Sequence, residues 1–282
     1  MHDNLGAYST ADQIPRTQRS VCAYLDLLGF SAAIREAERD GTSNELLRQF
    51  SHVVENWFAT LGDTFAGEAN ELRRREFKVF TDNVVVGAPI QTGGLATELS
   101  FVLSDIGLLQ AGLVFEGFFV RGAASVGELY IDQSVVFGAA VLDAYESEQA
   151  AVVPRVVLHA SAKAVVLQEL RYYHATYGER RGHRFTDQLL ADNDGEWFIN
   201  YLHDRFAGGA FSEPDYSTLE HHRDLISDRL RKFASDSHVF AKYEWAARYH
   251  NYFCETYAPD RPLLLDVPPL EAMEIEDAYD RS

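Results

Sequence analysis

Cysteine is almost missing from this chain. Cys22 and Cys254 are the only two in 282 residues, too few for a disulfide framework. Cys22 lies in an apolar, strand-like run and Cys254 in an amphipathic segment, so both read as reduced core thiols. Positive charge is also scarce. Lys and Arg number 25 against 43 Asp and Glu, a formal net charge of −18. Self-repulsion on that scale disfavours nonspecific binding to nucleic acid or to an anionic membrane. No apolar run approaches the ~18 residues that a membrane span needs, and no signal peptide is legible, so a cytoplasmic protein is expected. No repeat, low-complexity segment, P-loop or GxGxxG run is present.

What the chain does have is apolar content, at 46%, enough for a sizeable core. Residues 1–18 are polar without period and read as a flexible arm. "SVCAYLDLLGF" (20–30) alternates like a strand, and Ser31 can cap the helix that follows. "NELLRQFSHVVENWFATLGDTF" (44–65) and "ATELSFVLSDIGLLQAGLVFEG" (96–117) have helical spacing. Between them "FKVFTDNVVVGAP" (77–89) reads as a hairpin broken at Thr81-Asp82-Asn83. "FFVRGAASVGELYI" (118–131), a helix opening near Gly138 and a strand at "RVVLHA" follow. The order β-α-α-β-β-α-β predicts an α+β fold, a ferredoxin-like palm with a mixed sheet and helices on one face. The expected organisation is a core over 19–175, a mostly helical extension over 176–265 with a strand at "WFINYL" and two helices over 216–257, and a frayed acidic tail over 266–282.

Asp26 stands out because an aspartate inside an apolar strand run is costly unless something neutralises it. If the first strand neighbours the hairpin, Asp26 and Asp82 converge. Two close carboxylates repel, and a divalent cation relieves the repulsion. Alternation puts Lys78, Phe80 and Asp82 on one face. Each residue also has a plainer reading. Asp82-Asn83 suits an ordinary turn, Lys78 suits a solvated strand, and Arg121 suits an edge-strand ion pair. "RRR" (73–75) reads as a solvated loop face able to steer a polyphosphate. "HHR" (221–223) has the spacing of no familiar metal site. The Tyr- and Trp-rich helix 239–253 reads as packing or a dimer surface.

"YLDLLGF" (24–30) resembles the first metal-binding motif of class III nucleotidyl cyclases, and "KVFTD" (78–82) has their spacing from a base-contacting lysine to a second metal aspartate. With "RGAASVGELY", "VFGAAVLDAYESE" and "LRKFASDSHVFAKYEWAARYHN" (230–251), the chain is most similar to the pyrimidine cyclases of the Pycsar antiphage system. The resemblance covers about 19–257. No GGDEF motif stands at the hairpin, which speaks against a diguanylate cyclase on a similar palm.

The resemblance implies roles. Asp26 and Asp82 would hold two Mn²⁺ or Mg²⁺ ions with the Leu27 carbonyl. Backbone amides at the Phe30 turn would hold the triphosphate, and Lys78 would read the base. It also implies a head-to-tail homodimer with sites at the interface, and a separate effector protein for the cyclic nucleotide. The purine-type site is incomplete. The usual transition-state asparagine and arginine fall on Leu142 and Glu146, and the second base contact falls near Val135. Arg121, a lone cation in an apolar strand, is the candidate substitute. The expected activity is cyclisation of a pyrimidine triphosphate, UTP before CTP, because a lysine offers donors only and uracil presents a carbonyl at its 4-position. The alternatives are an inactive cyclase-like nucleotide sensor and an adenylate cyclase.

Overall fold

The computed structural model describes residues 7–8, 14–63, 75–90, 94–178, 183–207 and 215–280. Strand β1 (Gln18–Leu27) leads through helices α1 (Phe30–Asp40) and α2 (Ser43–Asp63) to the hairpin of β2 (Glu76–Phe80) and β3 (Asn83–Pro89). Helix α3 (Leu95–Phe115) then returns the chain to β4 (Val120–Ile131). These strands lie in the order β2-β3-β1-β4 with antiparallel neighbours, the ferredoxin-like arrangement expected from the sequence. Short β5 (Val136–Phe137) pairs with the end of β4, and α4 (Ala139–Ala150) leads to β6 (Val156–Leu158), parallel to β4. Helix α5 (Ala160–Tyr177) follows and crosses the core boundary expected at 175.

The remainder does more than add helices. β7 (Leu189–Ala191) and β8 (Trp197–Ile199) continue the sheet beyond β6 in the order β6-β8-β7. α6 (Tyr201–Ala207), α7 (Tyr216–Lys232) and α8 (Ser237–Tyr257) then pack beside it. The strand expected at "WFINYL" stops at Ile199, and Tyr201 already begins a helix. The segment expected to fray holds β9 (Met273–Glu274), which pairs with β7, and α9 (Ile275–Asp280), with Leu270 and Ile275 buried.

Alternation divides β1 cleanly. Val21, Ala23, Leu25 and Leu27 face the main core, where they meet Phe50, Val53 and Trp57 of α2 and Leu99, Val102, Leu103 and Ile106 of α3. The opposite face carries Cys22, packed with Val85 of β3, Leu129 and Ile131 of β4 and Ala140 of α4. Helices therefore cover both faces, not the one expected. A strand buried on both sides cannot alternate between apolar and polar, which is why β1 reads as a near-continuous apolar run. Against the expectation that no apolar run approaches a membrane span, helix α3 is long and apolar enough to cross one, but most of it is buried inside this core. Within the stretch read as an arm, Tyr8 is only 1% exposed and its hydroxyl donates to Ser20 Oγ at 2.9 Å. Residues 1–6 and 9–13 lie outside the described residues. So do Arg73 and Arg74, whereas Arg75 is no solvated loop residue: its Nη2 sits 2.6 Å from Asp105 Oδ2 with both side chains buried.

Both cysteines are free and buried, as the sequence implied. Burial pushes the Cys22 thiol up and the Cys254 thiol up to about 12, so neither is a ready nucleophile. The aromatic positions of α8 are packing, since Trp245, Tyr249 and Phe253 lie in the core.

His222 joins this packing in a buried relay. Tyr201 Oη lies 2.8 Å from His222 Nε2, His222 Nδ1 lies 3.0 Å from His250 Nδ1, and His250 Nε2 lies 3.0 Å from the Leu263 carbonyl. That carbonyl only accepts, so His250 Nε2 carries a proton and His250 Nδ1 accepts from His222. Tyr201 then donates to His222. Among neutral forms of the two rings, one arrangement satisfies every group. Burial pushes His222 well below its ordinary range and His250 down to about 4. The unfolded chain binds these protons near pH 6.5 and the folded chain does not, so this contribution is complete above pH 6.5 and is lost as pH falls toward 4. Denaturant titrations from pH 7 to pH 4 should show stability falling by on the order of 3 kcal/mol from His250 alone. The pH slope should flatten in His250→Gln. An unchanged slope in that variant would refute the neutral relay.

Candidate active site

Asp26 lies one residue from the end of β1, where two strands bring it partners. It pairs across to Asn83 on β3 and across to Arg121 on β4. Asp82 is the residue before Asn83, and its carbonyl accepts the Leu27 amide at 2.8 Å. The two aspartates singled out in the sequence are thus neighbours at one end of the sheet. Asp82 is not on the strand, however. β2 and β3 close at the Phe80–Asn83 pair, and Thr81-Asp82 form the turn between them. The shared face expected for Lys78 and Asp82 is therefore not how they are related.

That turn is tight. Thr81 takes φ +53°, a left-handed conformation that disfavours a β-branched residue. Its hydroxyl lies 2.8 Å from Asp82 Oδ1, Asn83 Nδ2 donates to the same oxygen at 2.9 Å, and Ser31 Oγ donates to Asp82 Oδ2 at 2.7 Å. Partial burial acts to raise the Asp82 pKa, but the Ser31 and Thr81 hydrogen bonds outweigh it and hold the carboxyl below its usual value. Tyr24 extends the chain of contacts, donating to Asn83 Oδ1 at 2.7 Å while its ring meets Tyr145 edge-on at 5.3 Å.

Gly29, at φ +75°, turns the chain from β1 into α1. Phe30 begins that helix with its ring buried against Phe50 and Phe118, at centroid distances of 5.0 and 5.4 Å. Only the backbone amides here are placed to meet an anion. Lys78 sits mid-way along edge strand β2 opposite Val85, and it makes no ion pair among the described residues. Val135 and Leu142 are exposed. Near Val135, the Asp132 carboxylate accepts from the Tyr130 hydroxyl and the Ser134 and Val135 amides. With the Lys78 charge these hold its pKa below the usual value.

Arg121 is held in the interior of the sheet, since β4 lies between β1 and β6 and is no edge strand. Gly122 beside it admits the β1 backbone, because a Cβ there would stand 2.6 Å from the Tyr24 carbonyl oxygen. Arg121 Nε donates to Asp26 Oδ2 at 2.9 Å and Nη1 donates to the Ala151 carbonyl at 3.1 Å. The same Nε lies 2.7 Å from Glu148 Oε1 of α4, a side chain with no exposed surface. Yet Glu148 Oε1 receives no hydrogen bond, because the single Nε proton points to Asp26. Burial pushes the Glu148 carboxyl up, against the pull of Arg121 and Gln149. Sequence reading missed Glu148, although its helical stripe with Ala140 and Ala144 marks a buried face.

Among the described residues no group of three or more His, Cys, Asp or Glu side chains is placed to hold a metal ion. Asp26, Asp82 and the Leu27 carbonyl, the set named from the sequence, would need substrate phosphates to complete the shell of a hard cation. Asp26 already has a counter-charge in Arg121, so the repulsion between aspartates expected from the sequence is relieved within the protein.

No family model matches this chain, and no curated protein matches it. Among solved structures, a class III adenylyl cyclase-like ATP-binding protein from Pseudomonas aeruginosa aligns with TM-score 0.41 and 16% identity over 55% of this chain and 36% of that one. The adenylyl cyclase CyaB from P. aeruginosa aligns with TM-score 0.40 and 12% identity over 54% of this chain and 82% of that one. A bacterial light-regulated adenylyl cyclase gives 0.42 and 13% over 75% and 57%. Likeness at this level establishes neither a shared fold nor a shared activity.

Removing Arg121 leaves two carboxylates without their shared cation. Breaking a fully buried pair costs about 3–5 kcal/mol, and partial solvent access lowers that to about 2 here. Urea denaturation of Arg121→Ala should show that loss, and adding Glu148→Gln should recover part of it. Additive losses in the double variant would mean that the two residues are not coupled.

Proposed function

We propose that this protein is a nucleotidyl cyclase that closes a pyrimidine nucleoside triphosphate to its 3′,5′-cyclic monophosphate and releases pyrophosphate. The observation that carries the reading is the meeting of Asp26 and Asp82 at the end of β1, beside the turn into α1. Mn²⁺ or Mg²⁺ ions held there by Asp26, Asp82 and the Leu27 carbonyl would lower the pKa of the ribose 3′-hydroxyl and compensate charge on the triphosphate. The chain's own groups would do the rest. Backbone amides after Gly29 bind phosphate oxygens. Ser31, Thr81 and Asn83 keep the Asp82 carboxylate oriented and ionised. Arg121 uses Nε and Nη1 on protein groups, which leaves Nη2 to meet charge developing at the α-phosphate, where Leu142 and Glu146 offer nothing comparable.

The α4 side of the sheet supports a homodimer with shared sites. Phe137 and Leu142 are 64% and 60% exposed, and Phe80, Val135 and Tyr145 are exposed beside elements of the same side. Apolar residues gathered there suit a second copy better than water. In such a pair Lys78 would read the base from across the interface, and a separate effector would receive the cyclic product in antiphage defence. Asp132 near Lys78 favours a second reading, since a carboxylate accepts from the amino group of cytosine or adenine.

Incubation with each of the four triphosphates and Mn²⁺, with the products identified, tests all of this. Cyclic UMP is expected as the main product, and it should vanish in Asp26→Ala and Asp82→Ala. Cyclic CMP or AMP instead would transfer the base reading to Asp132. No cyclic product, with nucleotide bound, would make the protein a sensor. An activity that survives either aspartate substitution would remove the two-metal assignment.

A further inference from the structure

Glu148 is a charged group at this site that the proposed chemistry leaves unused. Its Oε1 is buried, lies within ion-pair distance of a guanidinium, and accepts no hydrogen bond. A buried polar atom in that condition costs free energy and asks for an explanation. The explanation lies in proton counting. Arg121 Nε carries one proton and has two carboxylate oxygens within 2.9 Å. Asp26 receives it, and Glu148 is left with charge attraction alone.

We propose that Glu148 is a positioning residue, a second acceptor to which Arg121 passes when a divalent cation takes Asp26. This rests on the cyclase reading and deepens it. A cation on Asp26 competes directly with the guanidinium for Oδ2. Without Glu148, binding would force a partly buried arginine to give up its counter-ion, and that loss would weaken the cation. With Glu148 in place a small tilt of the whole planar guanidinium turns Nε–H from one carboxylate to the other, since the two oxygens lie 2.9 and 2.7 Å from Nε. No bond forms or breaks beyond hydrogen bonds. The guanidinium stays at the site as a cation whose charge is no longer spent on Asp26. Gln149 Nε2 donates to Glu148 Oε2 at 2.7 Å, so the acceptor is held in place from its other side.

The test is Mn²⁺ binding without nucleotide, followed by calorimetry and by the electron paramagnetic resonance of free Mn²⁺. The binding counted is the part that Asp26→Ala removes, which sets aside adventitious sites on so acidic a chain. Glu148→Gln should weaken that binding roughly tenfold, the scale of one charge-assisted hydrogen bond. Arg121→Ala should strengthen it, because the competitor is gone. In the Arg121→Ala background the further change Glu148→Gln should matter no more than about twofold. Glu148→Asp keeps the charge but withdraws it from Nε, and it should weaken Mn²⁺ as well, which covers the case in which the glutamine variant fails to fold. Equal weakening by Glu148→Gln in both backgrounds would show that Glu148 acts by its own charge on the cation, and would overturn the exchange. Mn²⁺ binding indifferent to Glu148 would overturn it too and leave the cyclase reading standing. No Asp26-dependent binding in the unsubstituted protein would overturn the exchange, while the triphosphate incubation decides the cyclase reading separately.

Discussion

One guanidinium among three acceptors sets the terms at the open end of this sheet. Arg121 has Asp26, Glu148 and the Ala151 carbonyl around it, and it is the only cation in contact with the first two among the described residues. Charges in an apolar layer are tolerable only when paired. So β1 and β4 must hold the Asp26–Arg121 register, and α4 must come close enough to deliver Glu148. The buried face of α4 meets that demand with Ala140 and Ala144, which are small, and the Ser125 hydroxyl pins its first turn by donating to the Ala140 carbonyl at 2.6 Å. A larger residue at either alanine would push Glu148 away from its cation.

The hairpin solves a separate problem, which is how to present a second carboxylate without a second cation. Asp82 is satisfied by neutral donors only, from Ser31 of α1, Thr81 of the turn and Asn83 of β3. Helix α1 and the hairpin, 51 residues apart at Ser31 and Asp82, thereby agree on the orientation of one side chain. The left-handed Thr81 is the local cost of that agreement. The two aspartates differ in kind as a result. Asp26 is neutralised by charge and can exchange its partner. Asp82 is stabilised as an anion by hydrogen bonds and has no partner cation among the described residues.

Much of this was legible in one sequence. The β-α-α-β-β-α-β order followed from periodicity, and Asp26 announced itself as a charge inside an apolar run. Asp82 and Arg121 were found as exceptions within their own segments. Glu148 was not, because "AYESEQ" looks like any solvated helix surface until a sheet chooses which glutamate faces inward. The stripe of Ala140, Ala144 and Glu148 held the signal, but Glu146 two residues earlier is as plausible by composition. Tyr8 and β9 were missed for a related reason. Each is a short piece whose order comes from contacts far along the chain, and a window of local pattern cannot see those contacts. Helices were expected on one face only, whereas the apolar run of β1 meant burial on both sides.

The C-terminal half is tied to the same strand that carries Arg121. The Gly122 amide donates to the Arg155 carbonyl at 3.1 Å, just before β6 begins. The Arg155 guanidinium is buried against Asp192 and Asp194 of the β7–β8 turn, and Trp245 Nε1 of α8 donates to Asp192 Oδ2 at 2.9 Å. Breaking a buried pair of this kind is costly, so the β7–β8 turn and α8 help hold β6 in its pairing with β4. The added strands and helices are thus part of one electrostatic scheme and not a detachable appendage. Arg155 holds one side of β4 as Asp26 and Glu148 hold the other, and Arg121 sits where the two sets of constraints meet.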